Sequence, residues 1–166
     1  MLRWTGESLF VSPAQTLVNT VNTVGVMGKG IALEFKTRYP EMFERYKNFC
    51  KTGALKTGQL YLYKSPSKWV LNFPTKQDWR RGSKLEWIEQ GLKNFVETYQ
   101  QRGITSISFP QLGTGNGGLT WDPDVKSLME EHLSGLPIPV FIHTRANLLQ
   151  EAHPREANHC VEKTSS

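Results

Sequence analysis

This chain is poor in metal-ligand patterns, cysteine pairs and long apolar runs. Its 166 residues hold two cysteines, Cys50 and Cys160, and their separation excludes a CxxC redox motif or a zinc knuckle. Cys50 falls on the apolar face of a helical pattern and reads as a small core residue rather than a thiol catalyst. The histidines His132, His143, His153 and His159 form no i,i+4 or HxxH pair. No metal and no cofactor are therefore expected. No apolar run approaches the ~20 residues a membrane helix needs, and the N-terminus shows no charged start followed by an apolar core and cleavage site. A soluble cytoplasmic protein follows as an expectation. There is no internal repeat, no Gly-Lys-Ser/Thr ending of a P-loop and no GxGxxG spacing.

What is present is concentrated. Glycine clusters in two places, Gly25-Val26-Met27-Gly28-Lys29-Gly30-Ile31-Ala32 and Gly113-Thr114-Gly115-Asn116-Gly117-Gly118. The first closes the apolar, Asn-punctuated segment Leu17–Asn22 and opens a helical pattern. Bare amides there can approach an anion while the helix aims its positive end at it. The second follows Phe109-Pro110 and offers a nest of exposed amides. Either loop alone could be a tight turn, but two in one small domain point to a diphosphate. The formal charge of +5 is also localised: residues 64–84 carry Lys64, Lys68, Lys76, Arg80, Arg81 and Lys84 against Asp78 alone, and the flanks cancel. Trp69, Phe73 and Trp79 are interleaved with these cations. A cationic track with stacking rings suits single-stranded nucleic acid; the alternative is a solvated basic loop beside core aromatics.

Strand-like and helical segments alternate throughout, which predicts an α/β layered fold. Residues 8–11 and 17–22 read as the first strands. A short helix begins near Ile31, and a second starts at Tyr39-Pro40 and stops at Gly53, with Met42, Phe43, Tyr46, Phe49 and Cys50 on one face. Residues 59–63 and 69–73 read as strands about the turn Ser65-Pro66-Ser67. Ser83-Lys84-Leu85-Glu86 has a capping-box pattern, and Leu85, Ile88, Leu92, Phe95, Val96 and Tyr99 recur at helical spacing up to Gly103. Ile104–Phe109 reads as a buried strand. Asp122-Pro123 is expected to cap a last helix ended by Gly135, and Pro139–His143 closes the sheet. From about Glu151 the pattern is lost, so residues 1–150 are expected to form the domain and 151–166 a tail or the start of a linker. The strand-to-helix loops 22–30, 74–83 and 111–119 should meet at one site.

Taken together, Gly6-Glu7-Ser8, Val18-Asn19-Thr20-Val21-Asn22, Gly28-Lys29-Gly30-Ile31-Ala32 and Gly113-Thr114-Gly115-Asn116-Gly117 resemble a macrodomain, the ADP-ribose-binding module. The run Asn19–Leu33 with Asn72-Phe73-Pro74-Thr75-Lys76 is similar to the macrodomains of DarG antitoxins. The resemblance spans about residues 6–145 and implies a three-layer α/β/α fold with a central mixed sheet of about six strands. It further implies an enzyme that removes ADP-ribose from a modified base in single-stranded DNA, thymidine ahead of guanosine, and so reverses a DarT-type toxin. ADP-ribose, ADP-ribosylated single-stranded DNA and a DarT-type toxin are the implied partners, and the chain is expected to be a monomer.

Residue by residue, the resemblance puts Glu7 where macrodomains carry an Asp that accepts from the adenine amino group, and Ser8 where a backbone amide meets that ring. Asn22 matches the polar residue facing the distal ribose. Gly28, Lys29, Gly30 and Ile31 match the first diphosphate loop, and Gly113, Thr114, Gly115, Asn116 and Gly117 the second. Lys76 matches the lysine on which removal depends in DarG-like and related terminal ADP-ribose glycohydrolase domains. It can act as a nucleophile on the anomeric carbon or as a charged donor toward the departing base. The related vertebrate enzyme has an acid in the second loop where this chain has Gly117, which favours the charged-donor role. Trp79, Arg80 and Arg81, just beyond, are the expected DNA contacts. The alternative functions are an ADP-ribose reader and a macrodomain hydrolase acting on protein-linked ADP-ribose, O-acetyl-ADP-ribose or ADP-ribose 1″-phosphate. After His143 only Thr144, Arg145 and Asn147 are available beside the adenine, and none is aromatic.

Overall fold

Five parallel strands end at one edge of a sheet, and the loops at that edge form the candidate site. In the computed structural model, which describes residues 1–145, the strands are β1 (Leu2–Thr5), β2 (Thr16–Asn22), β3 (Tyr61–Lys64), β4 (Trp69–Lys76), β5 (Ile107–Phe109) and β6 (Val140–His143). The helices are α1 (Gly30–Arg38), α2 (Pro40–Thr52), α3 (Leu85–Arg102) and α4 (Lys126–Leu133). The sheet order is β1-β6-β5-β2-β4-β3. Only the β3–β4 pair is antiparallel, the others being parallel, so the sheet is mixed. The expected tail at 151–166, and Asn147, lie outside the described residues.

Alternation along the central strands separates two cores. Val18, Leu71, Phe73, Ile107, Phe109 and Ile142 pack under α3 and α4. Leu17, Val21 and Val70 pack under α1 and α2 with Met27, Phe35 and Tyr46. The result is the α/β/α sandwich. Pro40 opens α2, where a missing N–H costs nothing, and Gly53 closes it in the left-handed region at φ 76°.

Several boundaries differ from the sequence expectations. Residues 9–11 form a 3-10 turn rather than a strand, because Ser8 Oγ accepts the Phe10 amide at 3.2 Å. The first strand is instead Leu2–Thr5, at the sheet edge. The capping box at Ser83 is not formed: α3 starts at Leu85 behind Lys84, without a side-chain cap, while the Ser83 amide is donated to the Gly117 carbonyl at 2.8 Å. Tertiary bonding outcompetes the local cap. Leu85 is consequently exposed, and Trp87 is buried in its stead. Only Ile107–Phe109 of the expected strand 104–109 pairs in the sheet. Asp122 is extended (φ −110°, ψ 119°) within a π-type turn at Trp121–Val125, so α4 begins only at Lys126 and ends at Leu133.

The cationic track is not continuous either. Lys64 and Trp69 meet at the amino end of β4, with Lys64 Nζ 4.5 Å from the Trp69 ring centroid. Lys68 Nζ donates to the Ser12 and Ala14 carbonyls. Phe73 is wholly buried in the core. An eight-residue strand separates this end from Lys76, roughly 25 Å at the usual rise per residue. Of this track, only Lys76 and the cations that follow it lie at the carboxyl end of β4.

Candidate functional site

The candidate site is assembled at the carboxyl ends of the five parallel strands. After β2, the chain turns through residues 23–29 into α1. Asn22 organises this loop: its Oδ1 accepts the Val24 and Val26 amides at 3.1 and 3.3 Å, and its Nδ2 donates to the Val26 carbonyl at 2.8 Å. Tyr46, buried on α2, donates its hydroxyl between the Asn22 carbonyl (2.7 Å) and Oδ1 (2.9 Å). Burial pushes the Tyr46 hydroxyl far above its ordinary range, so it stays a donor. Asn22 is thus first a shaper of the loop, with one amide hydrogen left beyond the Val26 bond. Cys50 lies partly buried beside it, its thiol pushed up by burial.

The loop delivers α1 with unspent amides. Its N-cap is Lys29, whose side chain has no acceptor and makes no cap bond. A lysine here is a poor cap for a peptide helix and a good neighbour for an anion. Gly28, Lys29 and Gly30 are exposed and Ile31 half-buried at this entrance.

The second loop closes against the first. Asn116 Nδ2 lies 3.9 Å from where a side chain on Gly30 would begin. Gly113 sits at φ +71°, a conformation costly for other residues, and any Cβ on Gly117 would run into the Gly113 carbonyl and Ser83 Oγ. The second loop can therefore carry only glycine at its tightest point. Ser83 Oγ is buried there without a hydrogen-bond partner among the described residues. Thr114 turns inward, its hydroxyl donating to the Gln111 carbonyl at 2.9 Å. Gly115 is exposed, and Arg145 Nη2 lies 3.9 Å from its Cβ position.

Lys76 ends β4 between the two loops. Its Nζ stands 3.4 Å from the Trp79 carbonyl and 3.5 Å from the Asn116 carbonyl. Both contacts are long and readily exchanged for a ligand oxygen. The ammonium is held below its ordinary value of 10.5, chiefly by burial and then by repulsion from Lys29. Two cations facing one gap favour an anion in it.

On the other side of the sheet, β1 and β6 hold the turn at Glu7 and Ser8. Both residues are exposed. The Glu7 carbonyl takes a hydrogen bond from His143 Nδ1 at 3.0 Å, while His143 Nε2 faces Ser108 Oγ at 2.9 Å. A carbonyl can only accept, so Nδ1 carries a proton toward Glu7, and the ring is held between that carbonyl and the Ser108 hydroxyl. Trp79 is half-exposed, and Arg80 and Arg81 are exposed, on the loop after Lys76. The structure thus gathers Asn22, Lys29, Lys76 and both glycine loops, with Glu7 and Ser8 at one end and Trp79 at the other. Tyr46, Ser83 and His143 were not foreseen in the site, whereas Arg145 was expected beside the adenine and lies against the second loop at Gly115. Tyr46 and His143 carry no motif of their own and act through the residues they hold, while the capping pattern at Ser83 points to a helix start rather than to its bond with Gly117.

A family model described as the Macro domain matches residues 18–128. The DNA ADP-ribosyl glycohydrolase of Thermus aquaticus is 44% identical over 140 residues, covering 82% of this chain and 39% of that protein. The chain thus spans about two fifths of the length of this curated relative. The solved macrodomain of Thermus aquaticus DarG superposes with a TM-score of 0.80 at 42% identity, covering 86% of this chain and 97% of that one. Thermosipho africanus DarTG, solved in complex with ADP-ribose, gives a TM-score of 0.82 at 41% identity over 86% of this chain and 41% of its own.

Proposed function

The chain belongs to the macrodomain family, alongside the DarG macrodomains, and from that premise we propose that it hydrolyses the bond between ADP-ribose and a base of single-stranded DNA, thymidine ahead of guanosine. The observation that carries the reading is Lys76: an amine with a depressed pKa between two glycine loops suited to a diphosphate. The relatives named for DNA ADP-ribosyl glycohydrolase activity support the reaction class. In this reading the loop amides from Gly28 to Ile31 and from Gly113 to Gly117 hold the diphosphate. Glu7 accepts from the adenine amino group, and the Ser8 amide borders that ring. The remaining Asn22 amide hydrogen meets a distal ribose hydroxyl.

The bond from the anomeric carbon to the base nitrogen breaks with positive charge growing on the sugar. Lys76, as an ammonium, donates toward the departing base, and water adds hydroxide to the anomeric carbon while its other proton leaves to solvent. Trp79, Arg80 and Arg81 contact the DNA strand. A DarT-type toxin would supply the modified substrate, and the chain would act as a cytoplasmic monomer. Among the described residues, no helix is long and apolar enough to cross a membrane.

The lowered Lys76 pKa also favours a second route, in which the neutral amine attacks the ring-opened anomeric carbon and the base leaves with a proton, giving an iminium that water releases. Borohydride during turnover would trap that adduct at Lys76; no trapped adduct leaves the charged-donor route. The test of the function itself is incubation with thymidine- and guanosine-linked ADP-ribosyl oligonucleotides. Release of ADP-ribose supports the reading, whereas binding of free ADP-ribose without release from either would make the chain a reader.

A further inference from the structure

The loop after Lys76 is built more tightly than a solvated basic segment requires. Arg80 Nε donates to Asp78 Oδ1 at 3.0 Å and Nη2 to Oδ2 at 2.8 Å, a bidentate pair. Asp78 Oδ1 also accepts the Arg80 amide at 2.9 Å, and the Asp78 carbonyl accepts the Arg81 amide at 3.1 Å. The guanidinium so fixed lies 5.4 Å from the Trp79 ring centroid. One side of the indole is therefore covered by a planar cation, while half of the residue stays open to solvent. The carboxylate takes one edge of the guanidinium, Nε with Nη2, and so fixes its orientation beside the indole. Arg81, on the same turn, makes no ion pair within the described residues. The platform is tied to the reacting centre, because the Trp79 carbonyl faces Lys76 Nζ, and to the first loop, because Thr23 Oγ1 donates to the Gln77 carbonyl at 3.1 Å.

We propose that the open side of Trp79 stacks the unmodified nucleobase next to the ADP-ribosylated one in single-stranded DNA, with Asp78 and Arg80 as positioning residues for the indole and Arg81 as the phosphate contact. This rests on the DNA reading above and assigns the loop's cations different tasks. An exposed indole stiffened by a cation offers a flat face with little ordering cost, and every base has a complementary π-face. The enzyme thereby requires a neighbouring base but not a particular one. A lone ADP-ribosylated nucleoside would leave this contact unmade.

The test uses three ADP-ribosylated oligonucleotides of equal length: one intact, one abasic immediately 5′ and one abasic immediately 3′ of the modified base. At least one abasic substrate should lose about ten-fold in kcat/KM, the scale of one base–aromatic stack. The ratio of intact to abasic should fall to near one in Trp79→Ala, be largely kept in Trp79→Phe, and shrink in Arg80→Met. Arg81→Gln should instead flatten the salt dependence, by about 0.7 in the log–log slope for one phosphate on a single strand. Equal turnover of all three oligonucleotides, or an unchanged ratio in Trp79→Ala, overturns the proposal and leaves the DNA reading intact. Failure to cleave any of them, with ADP-ribose still bound, removes both.

Discussion

Asn22 and Lys76 are register partners at the carboxyl ends of β2 and β4, brought opposite each other by an irregularity after Val21, which pairs with Pro74. In unbroken register Asn22 would face Thr75. The extra residue re-aims the strand end, a common use of such bulges beside active sites. It puts the residue that shapes the first glycine loop next to the amine that reaches the second.

Lys76→Ala separates chemistry from binding. We expect kcat to fall by about 10²-fold or more, the usual size of a lost proton donor, while the two glycine loops continue to bind ADP-ribose. Calorimetry with ADP-ribose and release assays on modified oligonucleotides measure the two halves. Parallel loss of affinity and turnover would assign Lys76 to binding instead.

The pH profile reports the state of that amine. Lys76 is charged below its pKa, and its pKa lies below the ordinary 10.5. If the ammonium is the active form, kcat declines as pH rises through the depressed value, earlier than for a free lysine. Removing the repelling charge by Lys29→Met moves this limb to higher pH. A kcat that rises through the same range would support the nucleophilic amine.

Tyr46→Phe tests the support of the first loop. Its hydroxyl satisfies the buried Asn22 carbonyl, so removal should cost about 1–3 kcal/mol of stability and weaken ADP-ribose binding. Denaturant midpoints and calorimetry give the two numbers. An unchanged midpoint would mean that the loop holds itself.

Gly117→Ala should be among the most damaging small substitutions in the second loop. The added methyl meets backbone and Ser83 Oγ, and forcing it in costs about 1–3 kcal/mol or more. We expect reduced ADP-ribose affinity with a lowered melting temperature, whereas Gly118→Ala meets no steric obstacle and is strained only through its φ of +74°. Equal affinity of both variants for ADP-ribose would refute the tight approach.

Charge position predicts where DNA binding resides. Charge reversal at Arg81 should lower activity on modified oligonucleotides more than affinity for free ADP-ribose. The same change at Lys64, beside Trp69 at the far end of β4, should do neither. An equal effect at Lys64 would restore the continuous track that sequence order suggests.

The sequence by itself determined the layers, the glycine loops and the alternation of strand with helix, because these depend on local periodicity and on residues whose backbone freedom is their own property. Gly53 and Gly103 stop their helices in the left-handed region as composition alone requires. Tertiary structure decided what contiguity could not. Lys64 and Lys68 lie near Lys76 in sequence, yet an extended strand carries them to the opposite edge. Ser83 carries a cap signature, but the amide bond to Gly117 takes precedence. Glu7 and His143 are distant in sequence and hydrogen-bonded in space. Parallel strands take their partners from remote segments, which brings Glu7 to His143 and the loop at Ser83 to the loop at Gly117, and each strand separates its two ends by its full length.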